Sequence, residues 1–253
     1  MRENRVRKVW AQGGTAIGGW LSIGNSFSAE VMAHQPFDFL VADTQHGMVD
    51  VGSAVGMLQA ISTAEPAPMA RVTWNDPATI MKLLDSGAYG IICPMINTRA
   101  ECEQFVGACR YPPAGYRSFG PARGTLYGGD DYFEHADKTV LTLAMIETRQ
   151  AVDNLDAIAS VSGLDGLFIG PGDLCISLGH APSMEPTEKD VVAAIDAVVA
   201  AARKHKIVAG MYCVAGTVAR RWAERGFRFV AIGSDVRFLT ASATAQLQAA
   251  RGA

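Results

Sequence analysis

At 253 residues, 49% of them hydrophobic, the chain can bury a full core, and α/β barrels commonly use about this length for one domain. A formal net charge of −3 and a pI near 5.9, with Lys and Arg scattered rather than clustered, give no electrostatic reason to expect nucleic acid or an anionic membrane as a partner. The five cysteines (Cys93, Cys102, Cys109, Cys175, Cys213) are odd in number and contain no C-x-x-C pair. A disulfide framework and a thiolate zinc site are therefore not expected, and the reading adopted is reduced thiols in a cytoplasmic protein.

From the amino terminus, Met1 to Trp10 carries Arg2, Arg5, Arg7 and Lys8, but a glycine-rich segment interrupted by Asn25 and Ser26 follows, which makes a poor secretion signal. No apolar run approaches the roughly 20 residues needed to span a bilayer. Short β-rich runs then alternate with helical patterns along the whole length, with no proline- or serine-rich linker between them. Eight strands are expected: Thr15 to Leu21, Phe37 to Asp43, Pro68 to Val72, Gly90 to Pro94, Val140 to Glu147, Gly166 to Ile169, Ile207 to Met211, and Phe229 to Gly233. Eight strands with helices between them favour a closed (β/α)8 TIM barrel over an open doubly wound sheet, with residues 1–253 as one domain.

Caps mark several helices. Asp76 followed by Pro77 is an N-cap with proline at the first helical position, Ile80, Leu83 and Leu84 form one face, and Gly87 ends the helix. Thr98 and Glu101 form a capping box ahead of Phe105, Val106 and Cys109, and the helix stops before Pro112 and Pro113. Another helix begins at Thr187 and runs through Val192, Ile195 and Val199. The last, from Asp235 through Val236 and Leu239, is weakly apolar for a packed barrel helix, and a partner in another subunit would account for it.

In such a barrel the side chains at the carboxyl ends of the strands surround one mouth. Trp20, Asp43, Gln45, His46, Arg71, Glu147 and Asp173 fall there. Asp173 follows the run Leu167-Phe168-Ile169-Gly170-Pro171-Gly172 and is expected in a backbone turn on the buried side, as a metal ligand or a cap. Glu147, at the end of a neighbouring strand, favours the metal: two carboxylates make a small hard-oxygen site. The Arg71 guanidinium suits bidentate binding of a carboxylate, or a structural pair with a neighbouring acid. His46 lies in a turn closed by Gly47, as a solvated or structural residue or as an acid or base. Asp85 sits near a helix carboxyl end, where pairing with His46 or an arginine would offset the dipole, or where water solvates it. No lysine falls at a strand's carboxyl end, so a Schiff-base mechanism lacks an amine while a Lewis-acid metal has two candidate ligands.

Five segments in order resemble the HpcH/HpaI family of metal-dependent class II 2-keto acid aldolases. They are Phe37-Asp38-Phe39 leading to Asp43-Thr44-Gln45-His46-Gly47, then Arg71-Val72-Thr73-Trp74-Asn75-Asp76-Pro77, then Tyr111-Pro112-Pro113-Ala114-Gly115-Tyr116-Arg117, then Ile146-Glu147-Thr148-Arg149, and last Phe168 to Leu174. The resemblance covers nearly the whole chain. It implies a barrel of the phosphoenolpyruvate/pyruvate type, Glu147 and Asp173 ligating a divalent cation (Mg²⁺ or Mn²⁺, with Co²⁺ as a substitute), and Arg71 against the reacting oxygens. It further implies His46 in proton transfer supported by Asp85, the backbone at Gly172 and Asp173 receiving the substrate carboxylate, and Trp20 and Val214 shaping the pocket.

The implied reaction is reversible aldol addition between pyruvate or hydroxypyruvate and an aldehyde, in a homohexamer with the final helix exchanged between neighbours. Gln45, Gly172, Cys175 and Ser118 depart from the family's usual glutamate, alanine, serine and glycine. An acyl-CoA lyase of the malyl- or citryl-CoA type and a non-catalytic metabolite-binding barrel are the alternatives. The lack of an extra basic cluster for a nucleotide diphosphate weighs against the first.

Overall fold

The structure is a computed structural model that describes residues 1–252. Eight parallel strands, β1 (Ala16–Leu21), β2 (Phe39–Asp43), β3 (Ala67–Arg71), β4 (Gly90–Cys93), β5 (Leu141–Ile146), β6 (Gly166–Ile169), β7 (Val208–Cys213) and β8 (Phe229–Ser234), pair in sequence order and close on themselves. The closed barrel and the strand count agree with the sequence reading, with ends displaced by one or two residues. The exceptions with consequences are β7 and β8: β7 continues to Cys213 and β8 to Ser234, so Tyr212 and Ser234 arrive at the mouth.

Strand alternation sorts the apolar residues into two cores. The inward set includes Val41, Met69, Leu143, Phe168 and Phe229, while the outward set, among them Leu40, Ala42, Ala144 and Val230, packs against the helix ring. Inside the barrel the rings form a column. Trp20 stacks on Phe168 at 5.5 Å, Phe168 meets Phe229 edge-on at 5.9 Å, and Phe229 stacks on Phe39 at 3.8 Å. The column needs Gly18, since a Cβ there would stand 2.3 Å from the Phe39 ring. Truncating a ring buried in this way costs about 3–5 kcal/mol.

The basic amino-terminal segment folds as the helix Arg5–Ala11, whose fully buried Val6 joins the inner core at the barrel's lower end. Arg7 pairs with Asp165 at 2.7 Å, and Arg110 reaches the same carboxylate at 3.1 Å. The predicted caps form: Asp76 accepts from the Thr79 N–H ahead of the helix Pro77–Asp85, and Thr98 and Glu101 make a reciprocal capping box. Gly87 follows that first helix with φ +97°, a conformation that favours glycine. The helix expected from Thr187 spans Lys189–His205. The last helix, Asp235–Arg251, buries only Asp235 within this chain and leaves Leu239 and Leu247 exposed. Among the described residues no helix is long and apolar enough to cross a membrane.

Candidate active site

Asp43 and Arg71 close β2 and β3 as register partners, which sets the two side chains next to each other at the mouth. The Arg71 Nε donates to Asp43 Oδ1 at 2.8 Å and Nη2 to Oδ2 at 2.6 Å, a fork that fixes the guanidinium plane. Burial pushes the Asp43 carboxyl up, but the Arg71 pair and the N–H groups of His46 and Gln45 outweigh it and hold the group below its ordinary value. The structural pairing anticipated for Arg71 is therefore made, with Asp43. Nη1 remains outside it, the guanidinium carbon lies 5.2 Å from the Trp20 ring centre, and Arg71 lines a mouth cavity of about 240 Å³.

Glu147 follows β5 directly and is 2% exposed, just behind the cavity wall. Its Oε1 accepts from the Met95 N–H at 2.8 Å, and Met95 adopts φ 56° to present that group, a left-handed conformation uncommon outside glycine. A Cβ at Gly170 would fall 2.4 Å from Glu147 Oε2, so any larger residue would displace the carboxylate. Burial is the main cause that raises this carboxyl to about 7; the Asp173 charge adds to it, and the Met95 N–H and Arg71 oppose it. A buried acid without a salt-bridge partner, made worse by a second carboxylate, is the donor set that a hard divalent cation relieves, with water completing the shell. The residues fit the implied metal.

Asp173 departs from the expected turn. Pro171 occupies the first position of a short helix, Pro171–Ser177, and Asp173 lies in its first turn, exposed into the cavity rather than buried. Proline with its preset φ starts the helix immediately after Gly170, which sequence reading passed over. No group of three His, Cys, Asp or Glu side chains able to hold a metal occurs among the described residues.

His46, Trp20 and Gly172 also line the cavity, His46 exposed at the rim and Gly172 beneath Met184, whose Cε would stand 3.0 Å from a Cβ there. Two candidates are placed elsewhere. Asp85 makes the arginine pairing expected as its alternative to His46: it accepts from the buried Arg117 at 2.8 Å, on the loop outside the mouth, and makes no hydrogen bond to His46 among the described residues. Val214 packs against the outer, helix-facing core. It lies beyond the end of β7, whose inward position at this level is taken by Tyr212. Ser22, Met145, Met184 and Ser234 also line the mouth; Ser234 reaches it because β8 runs one residue past its expected end, and no sequence signal points to Met184.

Residues 16–242 match the model of the HpcH/HpaI aldolase/citrate lyase family. The chain belongs to that family. It is 45% identical over 248 residues to a hydroxypyruvate/pyruvate aldolase of Rhizorhabdus wittichii, covering 98% of this chain and 99% of that one. A 5-keto-4-deoxy-D-glucarate aldolase of Escherichia coli is 37% identical over 235 residues, covering 92% and 91%. Among solved structures, an HpcH/HpaI aldolase/citrate lyase family protein from Burkholderia cenocepacia superposes with a TM-score of 0.90 at 29% identity, covering 98% of this chain and 99% of that one. As an HpcH/HpaI protein this chain is an enzyme of the carbon–carbon lyase class, with aldolase chemistry, on the expected barrel.

Proposed function

We propose that this chain, as one barrel domain, catalyses reversible aldol addition of pyruvate or hydroxypyruvate to an aldehyde, with a divalent cation held by Glu147 and Asp173. The observation that carries the reading is a buried Glu147 with no salt-bridge partner next to Asp173, with the Asp43-oriented Arg71 lining the same cavity as Asp173. The names of the relatives support the donor class. A bound Mg²⁺ or Mn²⁺ would supply Lewis-acid polarisation of the donor's oxygens, a contribution of several kcal/mol.

The chain's own residues do the rest. The N–H groups of Gly172 and Asp173, free of helix partners at the start of Pro171–Ser177, receive the keto acid carboxylate. Arg71 directs Nη1 at the oxygen that gains negative charge, held by Asp43 so that little reorganisation accompanies the reaction. In the synthetic direction C3 of the donor loses a proton and bonds to the aldehyde carbon, and the aldehyde oxygen takes up a proton. His46, at the wet rim, carries that proton to or from water, worth on the order of 10²- to 10⁴-fold. Trp20 and Phe168 supply an apolar floor.

Chelation tests the reading. Exhaustive EDTA treatment should abolish pyruvate release from 4-hydroxy-2-keto acids, and Mn²⁺ or Mg²⁺ should restore it. Full activity after chelation, or a covalent adduct trapped by borohydride with pyruvate, would sink the metal mechanism. Ligand-dependent thermal stabilisation with no product would leave a binding protein instead.

The assembly belongs to the same proposal. Leu239 and Leu247 on Asp235–Arg251 favour a homo-oligomer, a hexamer with this helix exchanged, in the cytoplasm, where five buried free thiols stay reduced. Sedimentation should give about six chains per particle, and a monomer would reject it.

A further inference from the structure

The mouth has two chemically different halves. Toward β5 and β6 lie the carboxylates and the amides of the Pro171 helix. Toward β7, β8 and β1 lie the hydroxyls of Tyr212, Ser234 and Ser22, all lining the same cavity. Arg71, at the end of β3, lines the cavity between the β1 and β5 sides, its guanidinium carbon 5.2 Å from the Trp20 ring centre. The donor proposed above occupies the carboxylate half, so an aldehyde bonding to its C3 in front of Arg71 extends toward the hydroxyls.

Each hydroxyl is held there by the fold. Tyr212 points inward from β7 with its ring edge-on to Trp20 at 5.7 Å, which fixes its plane. Ser234, opposite Trp20 in the β1–β8 register, caps the last helix through the Arg237 N–H at 3.4 Å and lies beside the phenol. Ser22 has its backbone N–H bound to the buried Asp235 at 2.9 Å, and its hydroxyl makes no hydrogen bond among the described residues. Burial raises the phenol further above its ordinary value, and it is a donor in neutral solution. Hydroxyls both donate and accept, which matches the alcohol groups of a polyhydroxylated chain better than a carboxylate or an alkyl group.

Resting on the aldolase reading, we propose that Tyr212, Ser234 and Ser22 form the acceptor subsite, and that the enzyme takes hydroxylated aldehydes in preference to their deoxy counterparts. A site that hydrogen-bonds a substrate hydroxyl discriminates against the analogue lacking it, because its own polar groups are then left unpaired.

The test compares glyceraldehyde with propanal, acceptors of equal carbon count, in Mg²⁺-supported addition of pyruvate. The wild type should prefer glyceraldehyde in kcat/KM. Tyr212→Phe, which keeps the ring against Trp20, should lower the glyceraldehyde-to-propanal ratio by roughly 5- to 15-fold. Ser22→Ala, a change at a hydroxyl with no partner in the protein, should lower it in the same direction. A ratio unchanged in both variants, or a wild type that favours propanal, overturns the subsite. Pyruvate C3 proton exchange without aldehyde, followed by NMR in the wild type, reports the donor half alone. Exchange with an unchanged ratio rejects only the subsite, and absence of exchange rejects the underlying aldolase reading.

Discussion

Glu147→Gln should lower kcat/KM for aldol cleavage by at least about 10³-fold, the several kcal/mol that a correctly held Lewis acid supplies. Glutamine keeps the shape and the Met95 contact, so the loss would come from charge. The same variant separates site from scaffold through pH. Glu147 titrates near 7 in the folded protein, against an ordinary value of 4.5, chiefly because it is buried. Its folded value is raised, so its contribution to stability is complete below about 4.5 and is lost as pH rises through 7. Metal-free wild type should therefore lose about 3 kcal/mol relative to Glu147→Gln between pH 4.5 and 8, an order-of-magnitude figure from the size of the shift. Millimolar Mg²⁺ or Mn²⁺ at pH 8 should recover the melting temperature in wild type and not in the variant. Parallel pH curves for the two proteins, or equal activity, would remove Glu147 from the site.

Arg71→Lys should cost about 10²- to 10³-fold in kcat, with a smaller change in the KM for the keto acid, if Nη1 meets charge that develops as the carbon–carbon bond forms. An ammonium keeps the positive charge but cannot hold both Asp43 oxygens and still present a third donor. Arg71→Ala should be less stable as well, because it leaves the Asp43 carboxylate buried without its cation, a loss of about 3–5 kcal/mol for a broken buried pair. Steady-state kinetics alongside thermal melts decide this. A raised KM with kcat intact would mean that Arg71 holds the ground state only.

The barrel was legible because its strands are short apolar runs bounded by glycines and caps, and local pattern alone locates them. Glu147 and Arg71 were legible for the same reason: each sits at or just past the last residue of a strand, where the fold dictates that side chains gather. The Asp43–Arg71 fork was less so, since it depends on the β2–β3 register, which no local signal in either strand sets. Asp173 lies at the mouth as expected, but in the first turn of a helix that Pro171 starts where a backbone turn is expected. Asp85 and Val214 depend on the direction a side chain takes across a loop or beyond a strand end, and the packing of Arg117 and of the outer core decides those.

The ring column from Trp20 to Phe39 makes the floor of the mouth and the centre of the core one object. Heat cannot loosen that floor while sparing the scaffold, so inactivation on warming should coincide with global melting. Local damage instead enters at the rim, through His46 and Met184, which stand outside the column.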